Sequence, residues 1–310
     1  MINNTSIQPS PALDILALLA CPDCKSRLVE KKFSSLLCDD CNREFEIKNG
    51  IPILYPSNVD IRHLQEEEKL AGMMKRSRLS RKEKFSAEQW DISKDEFWQM
   101  VRSHITSPRQ TMVNLGCGYD NHFIEFEENA HTVINFDIVF DMLLQQSSLS
   151  KKQNCVAGDI NALPFAKGSF DSIISIDIIH HECDNLLPLL KSFKELLKPG
   201  GILFLEDVNA WGLFQFAKSI LLPRSAHRFL RSTYHQLIHS DHQPADYEFP
   251  TNPWGVIGLL QKLGFSEIEI FPNKSYPGIC KSSYQLYKMF STSNWIKKHH
   301  NYHYMLKAKS

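Results

Sequence analysis

Thr111-Met-Val-Asn-Leu115, running into Gly116-Cys117-Gly118-Tyr119-Asp120 and followed nineteen residues after Gly118 by Asp137, is the stretch on which the fold turns. The short apolar run reads as a buried strand. Gly116 and Gly118 let the backbone bend tightly and leave bare main chain for a ligand to lie against. A helix-like stretch follows, then His131-Thr-Val-Ile-Asn-Phe-Asp137, a second strand that ends in an acid. A carboxylate at that strand tip can accept hydrogen bonds from both hydroxyls of a ribose. A GxG pair alone marks only a turn. Strand, bend, helix, strand and acid in this order predict a nucleoside site.

The same alternation continues downstream. Asn154 to Asp159 reads as a third strand, and Phe170 to Asp177 as a fourth, apolar enough along its length for a buried parallel strand. Asn185 to Leu197 is helical and is stopped by Lys198-Pro199-Gly200-Gly201. Ile202 to Asp207 is a fifth strand, Trp254 to Leu263 a helix ended by Gly264, and Ile268 to Phe271 a further strand. Tyr302 to Lys307 closes the sheet. Strands alternating with helices at this spacing predict a doubly wound α/β fold. The bend also distinguishes between nucleoside cofactors. A dinucleotide needs a third glycine near the helix start for its pyrophosphate, and position 121 is Asn.

Ahead of this core stand Cys21-Pro-Asp-Cys24 and Cys38-Asp-Asp-Cys41, two identical spacings with thirteen residues between them. Two such turns on short hairpins bring four thiolates to the corners of a tetrahedron, the arrangement taken by Zn²⁺ in structural sites. All four positions are Cys, which leaves no place for water and predicts a structural metal rather than a catalytic one. A redox CxxC would need a βαβ pattern around it, and none surrounds either pair. Leu18-Leu19-Ala20-Cys21 has the look of a lipoprotein cleavage box, but no Lys or Arg precedes it and Asp14 interrupts the apolar stretch. With no export signal read, a cytoplasmic location is expected, with the cysteines as thiols or metal ligands.

Two resemblances follow from these residues. Leu19 to Cys24, Cys38 to Cys41 and Ile47-Lys-Asn-Gly50-Ile51-Pro52-Ile53-Leu54 resemble the small zinc-ribbon activator subunit of tRNA, rRNA and release-factor methyltransferases, over roughly residues 12 to 56. In that family the ribbon pairs with a separate methyltransferase. The bend, Gly158 to Phe165, Ser169-Phe170-Asp171 and Leu196 to Gly201 resemble class I S-adenosylmethionine-dependent methyltransferases, most of all the ubiquinone/menaquinone-type group. The run Val113 to Asp120 is also similar to leucine-carboxyl-type methyltransferases, which share the fold.

The resemblance implies a Rossmann-like methyltransferase sheet carrying a small zinc-ribbon module with four cysteine ligands. The expected division is a ribbon at 1–56, a helical linker or cofactor-covering segment at 57–109, and a methyltransferase domain at 110–310 with an insertion at 208–252. It also implies the roles of the binding residues. Gly116 and Gly118 flank the methionine part of S-adenosylmethionine, Asp137 holds the ribose, and Asp159 accepts from the adenine amino group with Ile160 against the ring. Ile176 or Asp177 lies near the transferable methyl, and Asn114, Cys117 and Ile138 complete the set. This chain departs from the family at Asn114, where an acid is usual, and at Asp120, where a third Gly often stands.

Methyl transfer needs an acceptor aligned with the methyl and, for some acceptors, removal of a proton. His180 and His181 follow the fourth strand directly and are the general-base candidates. The Asp-Pro-Pro-Tyr type motif of amino-group DNA methyltransferases is absent; Asp177-Ile-Ile-His180 stands in that region. The insertion carries the apolar run Trp211 to Leu222, read as a pocket wall, a lipid-touching surface helix or packed core. His235, His239, His242 and Asp241 have a spacing that would suit a metal on a helix, though a solvated stretch fits them better. In the linker, Lys75 to Lys84 is a basic run read as a solvated helix face, with RNA phosphates as the alternative partner. Trp90 to Ile105 is amphipathic and is expected to close over the cofactor.

Composition bounds the remaining choices. In 310 residues, 35 Lys and Arg balance 35 Asp and Glu, so the chain has no global field for a polyanion. No apolar run is long enough for a membrane span. A small-molecule acceptor (a metabolite, or a lipid-like or glycan-linked molecule) is therefore the favoured substrate class. An RNA or protein acceptor is the alternative, and a non-enzymatic binding module the third reading.

Overall fold

A computed structural model describes residues 15–32, 35–82, 92–119, 121–129, 131–149, 154–182, 185–212, 250–272, 295, 299–300 and 303–310. Asp120, residues 213–249 of the insertion with His235, His239, Asp241 and His242, and the side chains of the basic run at 75–84 lie outside them.

Four short strands open the chain: β1 (Leu28–Lys32), β2 (Ser35–Cys38), β3 (Glu44–Lys48) and β4 (Ile51–Leu54). Burial alternates in β2 and in β3, where Phe45 and Ile47 point inward between exposed neighbours. Two helices follow, α1 (Ile61–Lys82) and α2 (Ile92–His104). The core then runs β5 (Thr111–Leu115), α3 (Phe123–Glu128), β6 (Thr132–Asp137), α4 (Phe140–Leu149), β7 (Cys155–Gly158), β8 (Phe170–Ile176), α5 (Leu186–Leu196), β9 (Leu197–Val208), α6 (Pro253–Lys262), β10 (Ser266–Phe271) and β11 (His303–Lys309).

All eleven strands form one sheet in the order β1-β2-β3-β4-β7-β6-β5-β8-β9-β11-β10. From β4 to β9 every pairing is parallel, while β11 lies antiparallel between β9 and β10. The chain winds outward from β5 in both directions, so the switch point of the topology lies between β5 and β8, directly under the glycine bend. Such parallel strands are covered on both faces. One face packs Phe97, Trp98 and Val101 of α2 and Phe123 of α3 against Met112, Val133, Ile174 and Phe204. The other packs Leu190 and Phe193 of α5 and Leu260 of α6 against Val113, Ile134, Ile173 and Leu203.

The ribbon is continuous with this sheet. β4 adds to its edge beside β7, pairing Ile53 with Ala157 and Leu54 with Gly158. A second seam runs along Leu18 to Ala20, where the Ala20 amide donates to the Pro164 carbonyl and the Ala166 amide to the Leu18 carbonyl, each at 2.9 Å. Leu19, Leu28, Leu36, Phe45 and Leu54 belong to the same apolar cluster as Leu115, Phe136 and Phe165.

Two local readings are corrected. The helix beside the bend is α1, whose Ala71 packs on Tyr119, Ile138, Val139 and Met142. The segment Trp90 to Ile105 instead supplies α2, whose apolar side is spent against the sheet face. Lys198 to Gly201 does end α5, but the chain is already in the sheet there. Phe170 pairs with Leu197 and Ser172 with Ile202, so these residues bulge out between two ladder rungs. The ends of the insertion meet: the Thr251 amide donates to the Val208 carbonyl at 3.0 Å and the Ala210 amide to the Thr251 carbonyl at 2.9 Å. Among the described residues, no helix is long and apolar enough to cross a membrane.

Candidate functional site

At the carboxyl ends of the central strands, Gly116 and Gly118 take φ +63° and +51°. A Cβ on Gly116 would sit 2.0 Å from Cδ1 of Ile178, so no side chain fits there. Gly118 has nothing within 4 Å of its Cβ position, and its bare backbone borders open space. Two contacts hold the bend in place. The Gly118 amide donates to Oδ2 of Asp137 at 2.9 Å, and Nε2 of the buried Gln146 on α4 donates to the Gly118 carbonyl at 2.7 Å. The other carboxylate oxygen of Asp137 accepts from the Val139 amide at 2.9 Å. Burial raises the Asp137 carboxyl above the usual range in spite of these amides. Cys117 is buried with Sγ 4.0 Å from Oδ2 of Asp137. The Tyr55 hydroxyl donates to the Ile138 carbonyl at 2.7 Å.

One strand over, Asp159 caps the turn Ile160–Ala162, accepting from the Asn161 amide at 2.8 Å. Its charge acts on Glu182, whose carboxyl is raised first by burial and further by Asp159. Asp159 and Ile160 are both half-buried at the rim. Asn114 is buried below the bend, and its Nδ2 donates to Oδ1 of Asn135 on the neighbouring strand at 3.4 Å.

The other half of the sheet end is built of histidines and acids. His180 donates from Nδ1 to Oδ1 of Asp207 at 2.8 Å, and its amide donates to Oδ2 at 3.2 Å. The His181 ring lies 4.1 Å from that of His180. Burial, with the charge of His180 added, pushes its imidazole down to about 3. Asp177 has φ +55° at the tip of β8. His303, first residue of β11, stands between Asp177 and Glu206, with Nε2 3.2 Å from Oδ1 of Asp177 and Nδ1 3.4 Å from Oε1 of Glu206. Burial alone would lower its imidazole, but Asp177 and Glu206, with Asp207 behind them, push it up to about 9.

His303 and its contact with Glu206 were not foreseen. The available signal was Glu206-Asp207, two consecutive acids ending an apolar strand, since buried carboxylates require a cationic partner. Gln146 was missed as well; its support of the bend needs the packing of α4, which no local motif announces. His63 of α1 lies within electrostatic reach of His181 and Glu182, which places the start of that helix near this end of the sheet.

The ligand atoms of Cys21, Cys24, Cys38 and Cys41 all lie within 4.8 Å of one another. Sγ of Cys21 is 3.7 Å from that of Cys41, and Sγ of Cys24 is 3.3 Å from that of Cys38. A tetrahedron with zinc–sulfur bonds of about 2.3 Å has edges of about 3.8 Å, so the thiol set fits zinc. The two turns are built alike. Each ends in a left-handed residue, Lys25 at φ +62° and Asn42 at φ +58°. Each also folds an amide back onto its first cysteine, Lys25 N–H to the Cys21 carbonyl and Asn42 N–H to the Cys38 carbonyl.

Two family models match separate stretches of the chain. The family described as "Methyltransferase domain" matches residues 113–205, and the Trm112p-like protein family matches residues 13–50. A malonyl-(acyl-carrier protein) O-methyltransferase of Pseudescherichia vulneris is 32% identical over 91 residues, 29% of this chain and 36% of that protein. A tRNA U34 carboxymethyltransferase of Campylobacter curvus is 23% identical over 170 residues, 46% of this chain and 51% of that protein. The chain thus spans between about a third and a half of the length of these relatives. A solved SAM-dependent methyltransferase from Archaeoglobus fulgidus aligns at 16% identity and a TM-score of 0.47, covering 72% of this chain and 97% of that one. Two stretches of the chain are thus similar to known families: residues 13–50 to the Trm112p-like proteins, with a four-thiol cluster fitting structural zinc, and residues 113–205 to the methyltransferase domain.

Proposed function

We propose that the chain transfers a methyl group from S-adenosylmethionine to O, N or C of a small-molecule acceptor. The observation that carries this reading is the bend: Gly118 opens onto empty space directly beside the buried Asp137 carboxylate, inside the segment matched by the methyltransferase domain. When bound, the cofactor supplies an electrophilic methyl on a sulfonium. The chain's residues bind and orient it. The backbone at Gly116 and Gly118 lies against the methionine, Asp137 accepts from the ribose, and Asp159 and Ile160 take the adenine. Asn114, Cys117 and Ile138 support that socket, and Ile176 and Asp177 border the methyl.

At the acceptor end, His180 is the group that takes a proton. Asp207 holds its Nδ1–H and so directs Nε2 to act as the base. His181, kept neutral by burial, packs against it. Calorimetric titration with S-adenosylmethionine tests the reading, with saturable heat and a thermal shift as the expected result. No heat and no shift would overturn it in favour of a binding module. Once an acceptor is known, His180→Ala should retain the cofactor and lose turnover, while His181→Ala keeps most of its turnover.

An RNA acceptor is the second reading. It is supported by the Campylobacter curvus relative, whose name assigns it to tRNA, and by the basic run at Lys75 to Lys84. RNA binding that falls steeply with added salt would favour it.

A further inference from the structure

Three strands that are far apart in sequence place one linked charge cluster at the carboxyl end of the sheet. Ile176 of β8 pairs with Glu206 of β9, and Glu206 pairs with Met305 of β11, so His303 reaches both Asp177 and Glu206. Its ring lies 3.2 Å from the first and 3.4 Å from the second. The cluster is graded outward. The Glu206 side chain is 1% exposed, that of His303 15% and that of Asp177 37%. Asp177 thus stands outermost, with the other two behind it. It is also beside the bend. The next residue, Ile178, places Cδ1 2.0 Å from where a Gly116 Cβ would sit.

Stability does not account for this arrangement. Buried ion pairs are commonly replaced by apolar residues without loss. Ile176, Phe204 and Met305 show that apolar packing is available on the same face. Asp177 is also a non-glycine residue at φ +55°, a conformation that adds strain. The charge of the cluster instead selects among acceptors. Asp177, Glu206 and Asp207 set three carboxyl groups against the imidazolium of His303. A carboxylate or phosphate acceptor would be repelled there, and a hydroxyl would have to become an anion beside these acids. A protonated amine is attracted, and on losing one proton it is a neutral nucleophile.

We propose that the acceptor is a small-molecule amine, bound as its ammonium by Asp177, and that His303 is the positioning residue that holds the Asp177 carboxylate toward it. This rests on the methyltransferase reading. The ammonium gives one proton to Nε2 of His180, whose Nδ1–H is held by Asp207. The nitrogen lone pair then forms a bond to the methyl carbon, the carbon–sulfur bond breaks, and its electron pair stays on sulfur. The positive charge of the sulfonium passes to the N-methylammonium product.

The test supplies the zinc-loaded full chain with methyl-tritiated S-adenosylmethionine and matched sets of aliphatic and aromatic amines, alcohols and carboxylic acids on the same carbon skeletons. Calorimetry with S-adenosylmethionine runs alongside. Label is expected only in amines, retained on a cation exchanger and not released as methanol by alkali. With an amine so labelled, Asp177→Asn should raise its KM by about 10- to 100-fold, the loss expected for a hydrogen bond to a charged group. His303→Gln should raise KM by about tenfold with kcat changed by no more than about twofold, and His303→Lys, which keeps a cation between the two acids, should recover most of that loss. A lowered melting temperature with unchanged KM in His303→Gln would overturn the positioning role. Cofactor heat with label in alcohols or acids, or in no amine, would overturn the inference and leave the methyltransferase reading standing. Absence of cofactor heat would overturn that reading, and the inference with it.

Discussion

Asp137 shows how one side chain can serve both architecture and ligand. Its two oxygens already accept from the Gly118 and Val139 amides, so it shapes the bend against which a cofactor would lie. Asp137→Asn keeps the volume but leaves one oxygen for two amides and turns a donor toward the ribose. Hydrogen bonds to a charged acceptor contribute about 1.5–3 kcal/mol each, so S-adenosylmethionine affinity should fall by about 10- to 100-fold. Titration calorimetry measures this, and unchanged affinity would remove Asp137 from the site.

His303 carries a stability signature. Its imidazole is held at about 9 against an ordinary 6.5, so the protonated form is favoured in the folded chain. That stabilisation is complete below about 6.5 and is lost as pH rises through about 9. It should be on the order of a few kcal/mol. Urea melts across that window should show the slope in the parent chain and a flattened one in His303→Gln, while equal slopes would show that His303 is not the titrating group.

At the scale of elements, the seam between β4 and β7 joins the two modules, and Gly158 marks its tightest point. A Cβ there would come 2.7 Å from the Phe136 ring and 3.2 Å from the Leu54 carbonyl, which is backbone and cannot swing aside. Gly158→Ala should therefore cost about 1–3 kcal/mol. Leu54→Ala, at a fully buried position of the shared core, should cost about 2–5 kcal/mol. Denaturant titration checks both, and a loss confined to the ribbon would contradict the seam. The two elements were legible in the sequence to different degrees. Phe170 to Asp177 is a continuous apolar run bounded by turn residues, and periodicity suffices to identify it. Ile51 to Leu54 is equally apolar, but which edge it joins is decided by pairing over about a hundred residues, and no local pattern encodes that. For the same reason Gly116, Gly118 and Asp137 could be read from one βαβ unit. His303 and Glu206 could not, because only the antiparallel return of β11 brings them together.

At the scale of the molecule, the question is whether the ribbon is an appendage or part of one cooperative unit. Its strands supply Leu28, Leu36 and Phe45 to the same apolar cluster as Leu115, Phe136 and Phe193 of the methyltransferase domain. Cys21 and Cys38 are themselves buried in that cluster. A module of about fifty residues has too small a core to stand alone, so its folding depends on the metal and on its neighbour. Removing zinc should then loosen β4 at the sheet edge and the seam at Leu18 to Ala20, and with them the strand that ends beside Asp159. Calorimetric melting should show one transition for the zinc-loaded chain, shifted as a whole to lower temperature by a chelator or by Cys38→Ser. S-adenosylmethionine binding should weaken in the same samples, because β7 and the Asp159 turn lie against the seam. Two separate transitions, with the upper one and cofactor binding untouched by the chelator, would make the ribbon independent and leave the continuous core without thermodynamic consequence.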